Sequence, residues 1–265
     1  MPQKEIDYTS PPVSEVVFGF LLERPTRLLT AHFGAFWSRV REKFPSSEDQ
    51  PPLVSLGDTL DPSAHLSRVW FISRDGRRLI QLQHDRLYYN WRRLAGDTSP
   101  YPEYTNLFAE FSEVVDLFEA FLIEEGLSKS LLAGQFELTY INMLEKPAFW
   151  EKSAALGDVL VDHRRCHEHD RFLPSPKDFS WASVYDMPHQ SGQMVVEAKS
   201  GRKTQNPDEV VIQLTLTAKS NSLTEAENTL RKGFAWFDTA HKQIVCGFAD
   251  VTDSRVQNDV WGRKK

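Results

Sequence analysis

Arg68–Arg93, RVWFISRDGRRLIQLQHDRLYYNWRR, decides the fold class, because it reads as three consecutive antiparallel strands. Asp75-Gly76 is the favoured pair for a two-residue type I′ turn, whose central positions both need positive φ, and His84-Asp85 can close the next turn. Large residues occupy both faces: Val69, Phe71, Ile80 and Leu82 alternate with Trp70, Ile72, Leu79, Tyr88, Tyr89 and Trp91. A sheet this apolar has to be covered on one side by helices.

Working outward, the covering helices are legible. Upstream, Val13 to Leu22 (VSEVVFGFLL) is β-branched and aromatic, a strand stopped by Glu23-Arg24-Pro25. From Thr26 to Phe44 the apolar residues Leu29, Phe33, Phe36, Trp37, Val40 and Phe44 recur at three- and four-residue steps, the signature of an amphipathic helix. Residues 45–67 mix prolines with polar residues, and Leu53–Leu56 reads as a short edge strand. Downstream, Tyr104 to Glu125 is a second helix, with Leu107, Phe108, Phe111, Val114, Val115, Phe118, Phe121 and Leu122 on one face and acids on the other.

The second half repeats the pattern. Gln135–Leu144 is a strand followed by Glu145-Lys146-Pro147 and a helix-compatible stretch at Phe149–Leu156, as the first strand is followed by Glu23-Arg24-Pro25 and its helix. Three strands follow at Phe179–Met187, Gln193–Lys199 and Val210–Lys219. Ser222 with Glu225 then forms a capping box for a helix to about Val245, with Leu230, Phe234, Phe237 and His241 inward. The expected fold is α+β: tandem strand-helix-four-strand-helix halves, offset by about 120 residues, forming a curved antiparallel sheet with helices on one face. That order resembles the TATA-binding-protein-like fold; a helix-grip sheet around one long C-terminal helix is the alternative. The halves fall at 1–130 and 131–265 and are expected to pack as one unit; they are kin by duplication on one reading and two products of the same limited strand-turn-helix grammar on the other.

Composition narrows the function. With 265 residues, 40% hydrophobic and 12% aromatic, the chain can build a substantial core. No run approaches the roughly 18 apolar residues of a membrane span, and MPQKEIDYTSPP lacks the apolar heart of a signal peptide, so a cytoplasmic protein without a membrane partner is expected. Cys166 and Cys246 have no CxxC spacing, which fits a reducing compartment. A net charge of −6 argues against a generic polyanion binder. Glycine-rich nucleotide loops, a GxSxG elbow and HExxH are all missing, so no cofactor and no catalytic residue is assigned.

Three local features remain as candidates. The meander holds seven arginines, and Arg77, Arg78, Arg92 and Arg93 beside Tyr89 and Trp91 suggest guanidinium groups for phosphates and rings for bases, a single-stranded nucleic-acid surface. The bland counterpart is that turn arginines keep edges soluble and strand aromatics are core. His163, Cys166, His167 and His169 offer zinc-type donors, but Arg164, Arg165 and Arg171 crowd them and the four-ligand spacing is missing, so a mixed-charge connector outweighs a metal site. The C-terminal CGFADVTDSRVQNDVWGRKK is too apolar for a frayed tail. It reads as a docked segment with Thr252 or Asp253 capping a short helix, or as a partner-binding end built on Trp261 and Arg263.

PPVSEVVFGF near the N-terminus, YNWRR and FELTYIN in the middle, and FADVT followed by WGR at the C-terminus resemble a sporadically distributed, uncharacterised bacterial protein family of about this length. The motif positions here are Pro12, Glu15, Phe18, Asn90, Trp91, Glu137, Thr139, Tyr140, Asn142, Asp250, Thr252, Trp261, Gly262 and Arg263. The resemblance implies a stand-alone bacterial cytoplasmic protein whose patchy occurrence is like that of mobile-element, toxin–antitoxin or phage-defence genes. The resulting expectation is a non-enzymatic protein that binds a protein partner, with nucleic-acid binding through 68–93 as the alternative. An enzyme built on Glu137, Tyr140 and Asn142 is disfavoured, because alternation puts Glu137 on the opposite strand face from the other two.

Overall fold

The computed structural model describes residues 6–23, 28–53, 68–144, 153–163, 178–203, 206–223 and 233–264. Nine strands, β1 (Val13–Leu22), β2 (Ser46–Gln50), β3 (Arg68–Ile72), β4 (Arg78–Gln83), β5 (Arg86–Arg92), β6 (Ala133–Leu144), β7 (Ser180–Asp186), β8 (Gln193–Lys203) and β9 (Asn206–Lys219), form one antiparallel sheet in the order β2-β3-β4-β5-β1-β6-β9-β8-β7. The pairing of β1 with β6, Phe18 opposite Leu138, joins the two halves of the chain. About that pair the order is mirrored, with five strands on one side and four on the other.

Side-chain alternation sorts the sheet into two faces. Phe18 on β1 shows which face is covered. Its ring lies 5.5 Å from Phe111 and 6.1 Å from Phe108 of α2 (Tyr104–Glu124), and 5.9 Å from Phe237 of α3 (Ala235–Val251). The apolar stripe of α1 (Thr30–Val40) meets the same face, with Phe36 6.0 Å from Phe71 of β3 and 5.3 Å from Phe118 of α2. Phe237 also touches Phe136 of β6, so α3 spans both halves of one aromatic core. The result is a mixed α+β fold: an antiparallel sheet with its helices packed on one face.

Glycine makes one contact of this sheet. Gly19 on β1 lies opposite Tyr88, whose ring folds over it so closely that a Cβ there would stand 2.0 Å from Tyr88 Cδ1. The ring thereby covers bare backbone, a known way of offsetting a strand glycine.

Several expectations are corrected in detail. The edge strand is Ser46–Gln50, upstream of the expected Leu53–Leu56, of which only Leu53 lies within the described residues. SSEDQ carries no β-branched or aromatic signal; backbone pairing with β3 makes it a strand. The Asp75-Gly76 turn is longer than two residues. Ser73 N–H bonds Arg78 O, Gly76 alone has a positive φ of 72°, and the Asp75 carboxylate accepts from Ser73 Oγ and Arg77 N–H. That side-chain turn competes with the type I′ geometry and wins. The last long helix continues to Val251, past the expected end at Val245. The expected capping residue Glu225 and residues 149–152 of the expected helical stretch lie outside the described residues, and its remainder belongs to a 3-10 helix, Ser153–Asp158.

The two chain ends are clasped together. Thr9 and Ser10 N–H bond Gly262 O and Trp261 O, and Trp261 packs on Phe248 with ring centroids 5.0 Å apart. Gln257, on the short helix α4 (Ser254–Asp259), is the hub: its Nε2 donates to Ala249 O and Thr252 O, and its Oε1 accepts from Tyr8 OH and Arg263 NH1. Asp253 caps α4 by accepting from Arg255 N–H, as expected.

Candidate interaction surface: the helix-free face of the sheet

The uncovered face differs between the two halves. Over β3, β4 and β5 it is buried and polar: Gln81, Gln83, Arg86 and Asn90 are each less than 10% exposed. A hydrogen-bond chain crosses four strands there. Arg68 NH1 and Trp70 Nε1 donate to Gln81 Oε1 at 2.8 and 3.0 Å, Gln81 Nε2 donates to Asn90 Oδ1 at 2.8 Å, and Asn90 Nδ2 donates to Glu15 Oε1 at 2.5 Å. Burial raises the pKa of Glu15, while the bond from Asn90 and the charge of Arg92 oppose that rise. Leu53 N–H and C=O are both bonded by the Gln83 amide. Such a chain orders the strands, and most of its donors and acceptors are spent on one another, the buried Nε of Arg68 excepted.

Over β9, β8 and β7 the same face opens progressively to solvent, from buried Thr139 on β6 outward. One cross-strand row runs Thr139, Thr217, Val195 and Val184, with Thr139 Oγ1 3.0 Å from Thr217 Oγ1 and Val184 61% exposed. The rows beside it carry charges of both signs: Glu137 paired with Lys219 at 3.3 Å, then Gln193 and Asp186 on one side, and Thr215, Glu197 and Ala182 on the other. The threonine and valine strip is bordered by three acids and one base, Glu137, Asp186 and Glu197 with Lys219, a charge sign that does not suit a polyanion track.

The eight candidate residues read from the sequence occupy scattered places. Arg77 pairs with Asp97 at 3.1 Å. Arg78 and Tyr89 lie on the helix side, where the Arg78 guanidinium grips Glu110 with two bonds of 2.8 and 3.1 Å and Tyr89 OH donates to the same carboxylate. Burial works against it, but those bonds hold Glu110 below the usual carboxylate range. Trp91 is buried against Tyr101 at 5.3 Å, with Arg93 above it at 5.8 Å. Arg92 is on the helix-free face, its Nε bonded to Gly76 O and its guanidinium 5.9 Å from Trp70, which Arg68 approaches at 5.5 Å. Trp261 and Arg263 are in the terminal clasp. Alternation thus divides the meander's aromatics, with Tyr89 and Trp91 on one face and Trp70 and Tyr88 on the other.

Of the metal candidates, His163 lies beside Phe179 and Trp181, and Cys166, His167 and His169 fall outside the described residues. No group of three metal-ligating side chains occurs among the described residues.

One constellation lacked a sequence signal because its members come from four elements. Tyr101 OH lies 3.2 Å from Tyr140 OH, which lies 2.9 Å from His241 Nδ1 on α3. The Tyr104 ring stacks on His241 at 4.1 Å and donates its OH to Asp238. Burial raises Tyr140 and brings Tyr101 up to about 12, and burial lowers His241 to about 4, with Asp238 opposing. At neutral pH the imidazole is therefore uncharged, and its Nδ1 shares a hydrogen bond with Tyr140 OH. Glu137 lies across the sheet from this cluster, as alternation along β6 requires, and Asn142 donates to Leu214 O. Of the positions quoted for the resemblance, those on β1, β5 and β6 join the central strands, while Thr252, Trp261, Gly262 and Arg263 build the clasp.

No family model matches the chain, and neither a curated protein nor a solved structure matches it. Among the described residues no helix is long and apolar enough to cross a membrane.

Proposed function

We propose that the chain is a non-enzymatic binding protein that receives a protein partner on the helix-free face of β6, β9, β8 and β7. The observation that carries this reading is the Thr217, Val195 and Val184 row, increasingly exposed from buried Thr139 outward, with a net-acidic border beside it, on a sheet whose opposite face is filled by helices. The mirrored strand order supports a duplicated, TATA-binding-protein-like plan, in which the central strands hold a shared surface in place. The family resemblance, with its patchy bacterial occurrence, supports an accessory role in a toxin–antitoxin or phage-defence module.

The nucleic-acid alternative draws on Trp70 flanked by Arg68 and Arg92. It has less support, because Arg77, Arg78 and Arg86 are held by Asp97, Glu110 and Asp85. The test is isolation of wild type and a Val195→Glu/Thr217→Arg variant from the source cell. A stoichiometric companion protein retained by wild type and lost by the variant is expected. Equal retention by both, with loss instead on replacing Arg68, Arg92 and Arg93, would move the surface to the meander.

A further inference from the structure

The two edges of the sheet are chemically unlike. β2 closes one edge with Ser46, Ser47, Glu48, Asp49 and Gln50, a polar, acidic and exposed strand of the kind that blocks further pairing. β7 closes the other with SWASVYD, in which Val184 is 61% and Tyr185 39% exposed. Among the described residues no strand pairs with its outer side. The register fixes which backbone groups are free. Met187 N–H bonds Gly192 O and Ser200 N–H bonds Phe179 O, so the odd-numbered residues of this stretch turn their backbone toward β8. Antiparallel alternation then aims the N–H and C=O groups of Ser180, Ala182, Val184 and Asp186 outward.

We propose that this edge pairs with the same edge of a second copy, about a twofold axis at Ser183. The sequence of β7 is complementary to itself in that register. Ala182 meets the second copy's Val184 and Ser180 meets the second copy's Asp186, both among the outward, hydrogen-bonding positions. Trp181 meets the second copy's Tyr185 on the helix side of the sheet, and Ser183 meets itself at a non-hydrogen-bonded position. Each outward pair exchanges two bonds, about eight in all, and no like charges face each other. The contact is isologous and closes at two copies. It covers Val184 and Tyr185, and it runs one sheet through both chains, so that the open strips of the two copies become continuous.

Mass measured by light scattering across a concentration series tests this directly. The wild type should reach twice the chain mass of 30.5 kDa. Ala182→Pro removes an outward N–H while leaving the bonds to β8, and Val184→Lys adds a charge to an exposed position; each should weaken dimerisation at least tenfold with unchanged circular dichroism. Ser183→Cys should form an intermolecular disulfide under mild oxidation, where wild type, with its own two cysteines, does not. A wild type that stays at one chain mass at 100 µM, or a dimer that neither edge variant weakens and Ser183→Cys does not cross-link, overturns the proposal.

Discussion

His241 carries a pH dependence that can be worked out at the level of one residue. Its pKa falls to about 4 through burial, against an ordinary value of 6.5. Between those values the unfolded chain binds the proton and the folded one does not, so this contribution to stability is present above pH 6.5 and is lost as pH falls toward 4. The loss is about 2–3 kcal/mol after allowing for partial exposure. Urea titrations at pH 7 and pH 4.5 should therefore show a smaller drop in stability for His241→Gln than for wild type; equal drops would remove His241 as the titrating group. Gly192 gives a second prediction. Its φ is 135°, and a Cβ would stand 1.9 Å from Lys219 O, a backbone atom that cannot swing away. Gly192→Ala should cost about 2–3 kcal/mol in thermal or chemical unfolding, whereas a change below about 0.5 kcal/mol would contradict this reading of the hairpin. Neither effect is visible in the sequence, since His241 looks like one more inward residue of a helix and Gly192 like an ordinary turn glycine.

Among the elements, the terminal clasp couples segments at opposite ends of the chain. Gln257→Leu keeps the volume but strands Tyr8 OH and Arg263 and unbinds the carbonyls of Ala249 and Thr252. The expected cost is about 2–4 kcal/mol, with amide exchange accelerated together at 7–10 and 261–264. Acceleration confined to 261–264 would show that the N-terminal segment is held independently. The sequence already pointed to a docked C-terminus through its apolar content, but its partner, residues 7–10, carries no hydrophobic pattern and pairs through backbone groups and the one buried ring of Tyr8. The same reason hid β2. Amphipathic helices and alternating strands were legible because burial repeats with their own period, while SSEDQ is a strand only because β3 lies beside it.

For the whole molecule, the sheet's two faces and two edges organise the account. Helix packing on one face followed from the double-sided apolarity of the meander, while the expected four strands of the second half after β6 are three among the described residues, β7, β8 and β9. The division of the meander's aromatics between faces was the harder part. Alternation fixes that neighbours such as Tyr88 and Tyr89 oppose each other, but which of them faces the helices depends on register with β1 and on the positions of α2 and α3. The consequence for function is a change of emphasis, from arginines that are largely bonded within the chain to a strip on the second half whose border is net acidic. A protein partner on that strip should tolerate high salt, because no bank of phosphate-bound counterions is released on binding.

Purification from the source cell in 50 mM and then 500 mM salt, with the 260/280 nm absorbance ratio and the co-eluting species recorded, tests this claim most directly. The account predicts a protein-like ratio at both salts and a companion protein that stays bound at 500 mM. A nucleic-acid spectrum at 50 mM that disappears at 500 mM would contradict it and return the binding surface to Arg68–Arg93.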